Sequence, residues 1–465
     1  MKITFIQAES PDSVHDVQFP SGIAALEAML TRAGHDVSIL WRVADWLTLE
    51  KVAKRLREIE PEMVCISFCF SVMPEVERLV PVIYSACPNT SVVIGGPGVT
   101  YCQYLALEKT GADLAFIGEG EKALTEFAEK WVPGKDLKIP GLFYRAETDE
   151  FGDEGFFDFG HGDLTPLEDI PLPSWDKYPI HWWMRLGAYF HQSIANGADR
   201  TFYWISGRGC PYSCNFCVSG CAPRYKKIEH LEFELQEIYE RFHPTFIGWM
   251  DNLTIPNKAR CLELCEMHQR NGWGWRYSVT GHAARIDEEM LRALKASGCA
   301  SILYGVESAN DPIQEQIGKK QTVAQLERAI RLTKEAGIAV QLSAMFGQPG
   351  ETADDFRRTI DMVLTAGDRE HPTHNNQGLS PVMTFPGTPL YKWAMENGYF
   401  RDDWDFYDKF FNTPDRHQGF TNYTDLPREA VVAAHQVARA LNDWVYFKHA
   451  YEGQTEMLRR AGVLE

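Results

Sequence analysis

Residues 202–221 read FYWISGRGCPYSCNFCVSGC. An aromatic and apolar run ends in a glycine-rich turn, and the turn opens a loop with Cys210, Cys214 and Cys217 in C-x3-C-x2-C spacing. Three thiols so close on one loop cannot all point apart, and thiolates of this kind hold iron–sulfur clusters. Three ligands leave one iron of a four-iron cluster open for a substrate or cofactor. Cys221 could supply a fourth sulfur, so zinc stands as the competing reading, although structural zinc prefers two separated pairs of ligands.

The run that opens this stretch is the first of six strand candidates, at 202–209, 245–252, 275–282, 301–308, 339–347 and 379–385. Helical patterns such as LEFELQEIYERF (231–242) and TVAQLERAIRLTKEAG (322–337) separate them. Tandem β/α units of this kind predict a barrel or incomplete barrel, with functional loops at the strand carboxyl ends. Upstream, strand candidates at 2–8, 36–41, 63–70, 91–98 and 113–121 alternate with helical patterns at 22–35, 49–60 and 121–131. That alternation predicts a parallel, doubly wound α/β sheet whose ligand crevice lies at the carboxyl ends of its strands. Those ends carry Ser67 to Ser71, then Gly95, Gly96, Pro97 and Gly98, then Gly118, Glu119 and Gly120. Glycine there serves either close backbone approach to a ligand or plain turn chemistry. A polar stretch at 147–163 and the proline-rich DLTPLEDIPLPSWD (163–176) read as a linker. Beyond about residue 400 the pattern turns helical and aromatic. The expected division is 1–140, a linker at 141–195, a barrel at 196–395 and a helical extension at 396–465.

The chain has 465 residues, 46 Lys plus Arg and 64 Asp plus Glu, for a net charge of −18. Phosphate binding needs a surplus of basic residues on one face, so a nucleic-acid partner is not expected. Hydrophobic residues at 45% and charged residues at 24% are ordinary for a globular protein. No apolar run approaches the roughly 20 residues that span a bilayer. The opening MKITFIQAESPDSVHD lacks a signal-peptide core, and the expectation is a cytoplasmic protein. Eleven cysteines, an odd number, speak against a disulfide framework there.

The cysteine loop, with Phe216 just before its last cysteine, is joined by five further motifs. They are MDNLTIP (250–256), YGVES (304–308), FGQPGET (346–352), FPGTPLY (385–391) and DIPLPSWD (169–176). Together they resemble the radical S-adenosylmethionine (SAM) superfamily, in the subgroup with an N-terminal cobalamin (B12)-binding domain. The resemblance covers roughly residues 1–400. It implies a Rossmann-like domain ahead of a partial (β/α)6 barrel of the TIM type. It also implies that Cys210, Cys214 and Cys217 ligate a [4Fe–4S] cluster whose open iron chelates the amino and carboxylate groups of SAM. Electron transfer into SAM would then give a 5′-deoxyadenosyl radical, in a site that positions substrate and excludes water.

Further residues take roles only through that resemblance. Phe216 would lie by the adenine; a core aromatic is the plainer reading. Glu307 would hold the SAM ribose or amino group, for which an acceptor carboxylate is suited; a salt-bridged glutamate is the plainer reading. Gly347 and Pro349, in the segment Gly347 to Glu351, would meet the adenosine through the backbone. Asp251 and Asn252 would sit on the active face, with SAM and substrate contacts both open. Ser67, Phe70, Gly95 and Gly96 would surround cobalamin. No D-x-H-x-x-G follows the first strand, where the chain reads QAESPDSVHD (7–16), so no histidine is expected beneath cobalt. No residue is singled out as catalytic.

The remaining cysteines read more plainly. Cys261 and Cys265, four apart on a helix, suit a packed core pair, and Cys65 and Cys69 flank a strand end. Cys221 reads as a neighbour of the cluster loop or as a redox-active group. His371 and His374 suit a solvated or substrate-facing loop better than a metal pair. The expected activity is cobalamin-dependent C-methylation of a small molecule, such as a natural product in antibiotic biosynthesis, fed by an external donor such as flavodoxin or ferredoxin. The alternative is radical dehydration, deoxygenation, cyclisation or rearrangement of an aminoglycoside-like sugar without cobalamin chemistry. A non-catalytic iron–sulfur or zinc scaffold is the third reading.

Overall fold

The computed structural model describes residues 1–9, 19–131, 137–145, 156–190, 199–218, 221–366, 378–411, 421–434 and 436. Two compact units, Met1–Trp182 and Trp183–Glu465, make up the chain.

The first unit is built on a seven-stranded sheet. Its strands are β1 (Lys2–Ile6), β2 (Asp36–Leu40), β3 (Met63–Ser67), β4 (Ser91–Gly95), β5 (Leu114–Phe116), β6 (Leu142–Arg145) and β7 (Phe156–Asp158), in the order β2-β1-β3-β4-β5-β6-β7. β1 to β5 are mutually parallel. They are near-continuous apolar runs such as MVCIS because helices cover both faces. Helices Ser21–Arg32, Leu49–Ile59, Met73–Ala86, Pro97–Thr110 and Glu121–Lys130 link and follow them. The first stops at Gly34, whose φ of +88° is the left-handed turn that a glycine past a helix end permits. The strand order reverses between β1 and β3, and a doubly wound sheet opens its ligand crevice at such a point.

The stretch expected as linker, 141–195, divides. β6 and β7 lie within it and extend the sheet antiparallel past β5. Their sequence lacks the flanking helix that marks a parallel strand, and a short antiparallel strand carries a weak local signal. The proline-rich segment that follows is bound to the first unit. Glu27, fully buried on helix Ser21–Arg32, accepts from the Ser174 amide (3.0 Å), Lys177 Nζ (2.7 Å) and the Tyr178 hydroxyl (3.3 Å). Arg32 donates to the Asp169 carbonyl (2.7 Å) and the Trp41 indole to the Lys177 carbonyl (2.7 Å).

The second unit carries a six-stranded sheet of β8 (Thr201–Trp204), β11 (Phe246–Trp249), β12 (Arg276–Gly281), β13 (Cys299–Glu307), β14 (Ala339–Phe346) and β15 (Gly378–Pro381). All neighbours are parallel and follow chain order, with no pairing between β15 and β8: an open half-barrel. A helix follows every strand, including β15, which leads into Pro389–Glu396. A separate two-stranded ribbon, β9 (Gly207–Arg208) with β10 (Arg224–Tyr225), interrupts the first β/α unit. On β12 and β14 buried and half-exposed residues alternate, so Ser278, Thr280, Gln341, Ser343 and Met345 share the concave face while the buried set packs against the helices. After residue 400 the described chain holds the helix Asp403–Phe411 and a helical segment from 428. The extension beyond residue 436 and the His371–His374 pair lie outside the described residues. All eleven cysteines are free thiols. Among the described residues no helix is long and apolar enough to cross a membrane.

Candidate active site

The cysteine loop leaves the carboxyl end of β8, where a β/α barrel presents its functional loops. The β9–β10 ribbon closes its base, and the Cys210 amide bonds the Cys221 carbonyl (3.3 Å). Gly209, at φ +80°, passes so close to this strand that a Cβ would stand 2.6 Å from the Cys221 and Ala222 carbonyl oxygens. Glycine is therefore required beside Cys210. The loop tightens into a turn at its far end, where the Cys217 amide bonds the Cys214 carbonyl (3.1 Å). Phe216 is half-buried on this turn.

Three tethers hold the loop. The Asn215 amide donates to the Ile317 carbonyl (2.9 Å), and the Asn215 carbonyl accepts from Leu390 (2.9 Å). Tyr212 stacks on His282 at 4.1 Å and 16°, and His282 Nε2 bonds the Lys319 carbonyl (2.8 Å). Burial lowers the His282 pKa to about 4, so the ring is neutral and donates through that nitrogen near neutral pH. The third tether is at the base. Asp251, just past β11, accepts from the Ser206 amide (2.7 Å), the Gly207 amide (3.0 Å) and the Ser206 hydroxyl (2.5 Å).

Glu307 ends β13 in the left-handed region, φ +59°, where the β13–β14 register shifts. A non-glycine residue held there stores strain of about 1–3 kcal/mol, and such strain clusters at functional sites. Its carboxylate bonds Lys319 Nζ at 2.6 Å. The pair lies over Gly305, where a Cβ would collide with both charged groups. Gly305, Ser343 and Gly378 are in register across β13, β14 and β15, a row of small residues that leaves room on the concave face. Burial alone would depress the Lys319 pKa; the Glu307 carboxylate and its hydrogen bond, with Cys214 and Cys217 near, outweigh it and hold the ammonium above its ordinary value. Burial pushes the Cys214 thiol up to about 11, against the pull of Lys319, and raises Cys210 as well. Iron would supply the positive charge that favours the thiolates a cluster needs.

Gly347, at φ +88°, opens the loop after β14, and the Pro349 carbonyl accepts from Gln316 (2.9 Å). Glu351 folds back onto the amides of Gly347 and Gln348, and its burial raises its pKa to about 7. Cys210, Cys214, Cys217, Phe216, Glu307, Gly347 and Pro349 thus all sit on loops or strand ends at one mouth of the half-barrel. Cys261 and Cys265 are buried on the outer helix Lys258–Asn271, away from that mouth. Among the described residues no three His, Cys, Asp or Glu side chains close around a single ion; a cubane differs in placing each thiolate on a separate iron. A cleft of about 870 Å3 lies elsewhere, on the outer face between helices Val323–Glu335 and Ala353–Ala366, and its lining includes neither a cysteine nor an aromatic side chain.

In the first unit, Ser67, Gly95 and Gly96 converge at the carboxyl ends of β3 and β4. Gly96, at φ +89°, lies so close that a Cβ would stand 2.7 Å from Ser67 Oγ and 2.9 Å from the Phe68 carbonyl. At Gly95 a Cβ would meet only the Phe116 carbonyl, at 3.8 Å. Phe70 is buried, so the exposed side chains of that loop are Cys69 and Ser71. Sequence reasoning missed Lys319, twelve residues beyond Glu307, because only the fold of the intervening helix Asp311–Gln316 returns it to the strand end. It placed Asp251, through MDNLTIP and the strand end, on the active face, but missed its hydrogen bonds to Ser206 and Gly207.

Residues 204–363 match the radical SAM superfamily and residues 12–128 match the B12 binding domain. An uncharacterised methyltransferase of Pyrococcus horikoshii is 27% identical over 81% of this chain and 79% of its own length. An anaerobic magnesium-protoporphyrin IX monomethyl ester cyclase of Cereibacter sphaeroides is 25% identical over 80% of this chain, which spans 60% of that protein. Among solved structures, the radical SAM methyltransferase TsrM of Kitasatospora setae, with cobalamin and a [4Fe–4S] cluster bound, superposes with a TM-score of 0.68 at 20% identity, over 85% of this chain and 75% of that one. The chain carries a B12-binding domain at residues 12–128 ahead of a radical SAM domain at residues 204–363.

Proposed function

We propose that the protein is a cobalamin-dependent radical SAM methyltransferase that places a methyl group on carbon of a small molecule. The observation that carries this reading is the pinned three-cysteine loop at the mouth of a half-barrel, in one chain with a glycine-rimmed sheet of the B12-binding type. When bound, the cluster and SAM supply a 5′-deoxyadenosyl radical, and cobalamin supplies the methyl group.

The residues fit these groups. Cys210, Cys214 and Cys217 would hold the cluster, and the tethers through Asp251, His282 and Asn215 keep the loop from moving when it loads. Glu307 and Lys319 offer one anion and one cation beside the thiols, matched to the ammonium and carboxylate of an amino-acid moiety. The Gly347–Pro349 loop would face adenosine through its backbone, and Phe216 would lie at its edge. Ser67, Gly95 and Gly96 would hold the corrinoid; the buried Phe70 supports the loop from within. Free thiols throughout suit a reducing cytoplasm, where a flavodoxin- or ferredoxin-type donor would deliver the electron.

Anaerobic reconstitution tests the site. The expected product is a brown protein with one [4Fe–4S] cluster whose reduced EPR spectrum changes on adding SAM. Replacing all three cysteines with Ala should abolish both, and zinc in the native protein would overturn the assignment. Turnover with methyl-deuterated SAM, hydroxocobalamin and candidate substrates, read by mass spectrometry, should give a product heavier by the labelled methyl. A product formed without methylation, from protein that retains no corrinoid, would refute the methyl-transfer reading.

A further inference from the structure

Asp251 is buried at the end of β11, one strand away from the strand that launches the cysteine loop. A carboxylate out of water needs its oxygens hydrogen-bonded. Both oxygens of Asp251 spend their bonds on one turn, Ser206–Gly207, at the root of that loop. Ser206 is itself saturated: its carbonyl accepts from the Lys226 amide (2.9 Å) and from Arg260 (3.4 Å). Lys226 is fixed in turn by a buried pair with Glu234 (2.6 Å), and Arg260 lies over the Tyr225 ring at 5.7 Å. Tyr225 closes the circuit through its hydroxyl to the Leu253 carbonyl (3.0 Å), two residues past Asp251. At Gly207 a Cβ would collide with the Tyr225 ring and stand 2.7 Å from the Arg224 carbonyl, so the turn has no freedom to shift within the ribbon.

Resting on the radical SAM reading, we propose that Asp251 is a positioning residue. It contacts neither SAM nor substrate, but fixes the root of the cysteine loop and thereby where the first cluster ligand stands. The three bonds, on Ser206 and Gly207, reach Cys210 through two intervening residues, Arg208 and the constrained Gly209. Loss of the latch leaves two amides and a hydroxyl unpaired at the root and lets Cys210 drift relative to Cys214 and Cys217, whose own tether through Asn215 and Ile317 is independent of Asp251.

The test compares Asp251→Ala, Asp251→Asn and wild type, reconstituted anaerobically as full-length protein. The asparagine keeps a carbonyl oxygen for both amides and can donate its NH2 to the Ser206 hydroxyl. Asp251→Ala should lose several-fold in iron and sulfide content, with shifted or broadened EPR lines and an altered midpoint potential in the residual cluster. Asp251→Asn should restore cluster content and line shape to near wild type. A purely general loss of stability would lower the melting temperature of the alanine variant without changing the spectrum of the cluster it holds. Wild-type content, line shape and potential in Asp251→Ala would overturn the proposal. So would an unchanged cluster with SAM affinity or turnover lost, which would make Asp251 a contact residue. If Asp251→Ala does not fold, Gly207→Ala displaces the same turn and should show the same cluster defects; a normal cluster in that variant would overturn the proposal. A wild-type protein that takes up no [4Fe–4S] cluster sinks the radical SAM reading itself, whereas an intact wild type beside an unaffected Asp251→Ala sinks this inference alone.

Discussion

Glu307 shows how much of a site one residue can carry. It holds a left-handed backbone at a strand end, its carboxylate is buried, and its present partner is a lysine near Cys214 and Cys217. Exchange of Lys319 for the positive end of SAM would keep the carboxylate paired throughout, which a buried charge requires. Glu307→Ala should therefore weaken SAM binding by about 1.5–3 kcal/mol, the cost of a charge-assisted hydrogen bond, while iron content stays at the wild-type level. Equilibrium binding of SAM to the reconstituted variant checks this, and unchanged affinity would leave Glu307 as the structural partner of Lys319 alone. The sequence placed Glu307 at a strand end within YGVES. It offered no sign of the lysine, because the pair is made by a helix and turn that bring residue 319 back over Gly305.

At the scale of elements, strands and the loops at their ends do different work. Gly95 and Gly96 are adjacent in sequence and were indistinguishable there, yet the structure separates them. Gly96 is required by the protein itself, since its φ is positive and the β3 loop presses against it. At Gly95 a Cβ would make only an ordinary contact, 3.8 Å from the Phe116 carbonyl. Gly96→Ala is expected to destabilise the first unit by about 1–3 kcal/mol, the cost of a strained left-handed residue with a steric clash, and to lose corrinoid with it. Gly95→Ala should leave thermal unfolding within about 0.5 kcal/mol of wild type. If Gly95 lines the corrinoid, the alanine variant will retain less hydroxocobalamin in its visible spectrum despite its normal stability. Full retention in a stable Gly95→Ala protein would remove Gly95 from the binding surface.

For the whole molecule, the informative feature is where the first unit ends. The proline-rich segment belongs to it because a fully buried carboxylate, Glu27, collects three donors from residues 174–178. Burial alone would raise the Glu27 pKa, but the Lys177 bond and the Ser174 and Thr31 bonds outweigh it and hold the carboxyl below its ordinary 4.5. Glu27→Gln should cost the first unit about 1.5–3 kcal/mol near neutral pH. A depressed carboxyl stabilises fully above its unfolded pKa, so the gap between wild type and variant should be constant above pH 4.5 and close as pH falls through the folded value. Unfolding curves of both proteins from pH 7 to 3 check the sign; a gap that widens in acid would contradict it.

Whatever repeats or clusters locally is legible in the amino-acid sequence alone. Alternating apolar strands and amphipathic helices carry both parallel sheets, because each period is written in consecutive residues. The C-x3-C-x2-C loop is legible for the same reason: its cysteines lie within eight residues, 210–217. The rest follows from contacts between segments far apart in the chain. β6 and β7 exist because β5 offers them an edge, Lys319 joins Glu307 across a helix, and Asp251 meets Ser206 across 45 positions. Such contacts depend on which strands become neighbours. That is settled by packing the whole sheet, and no local stretch of residues records it.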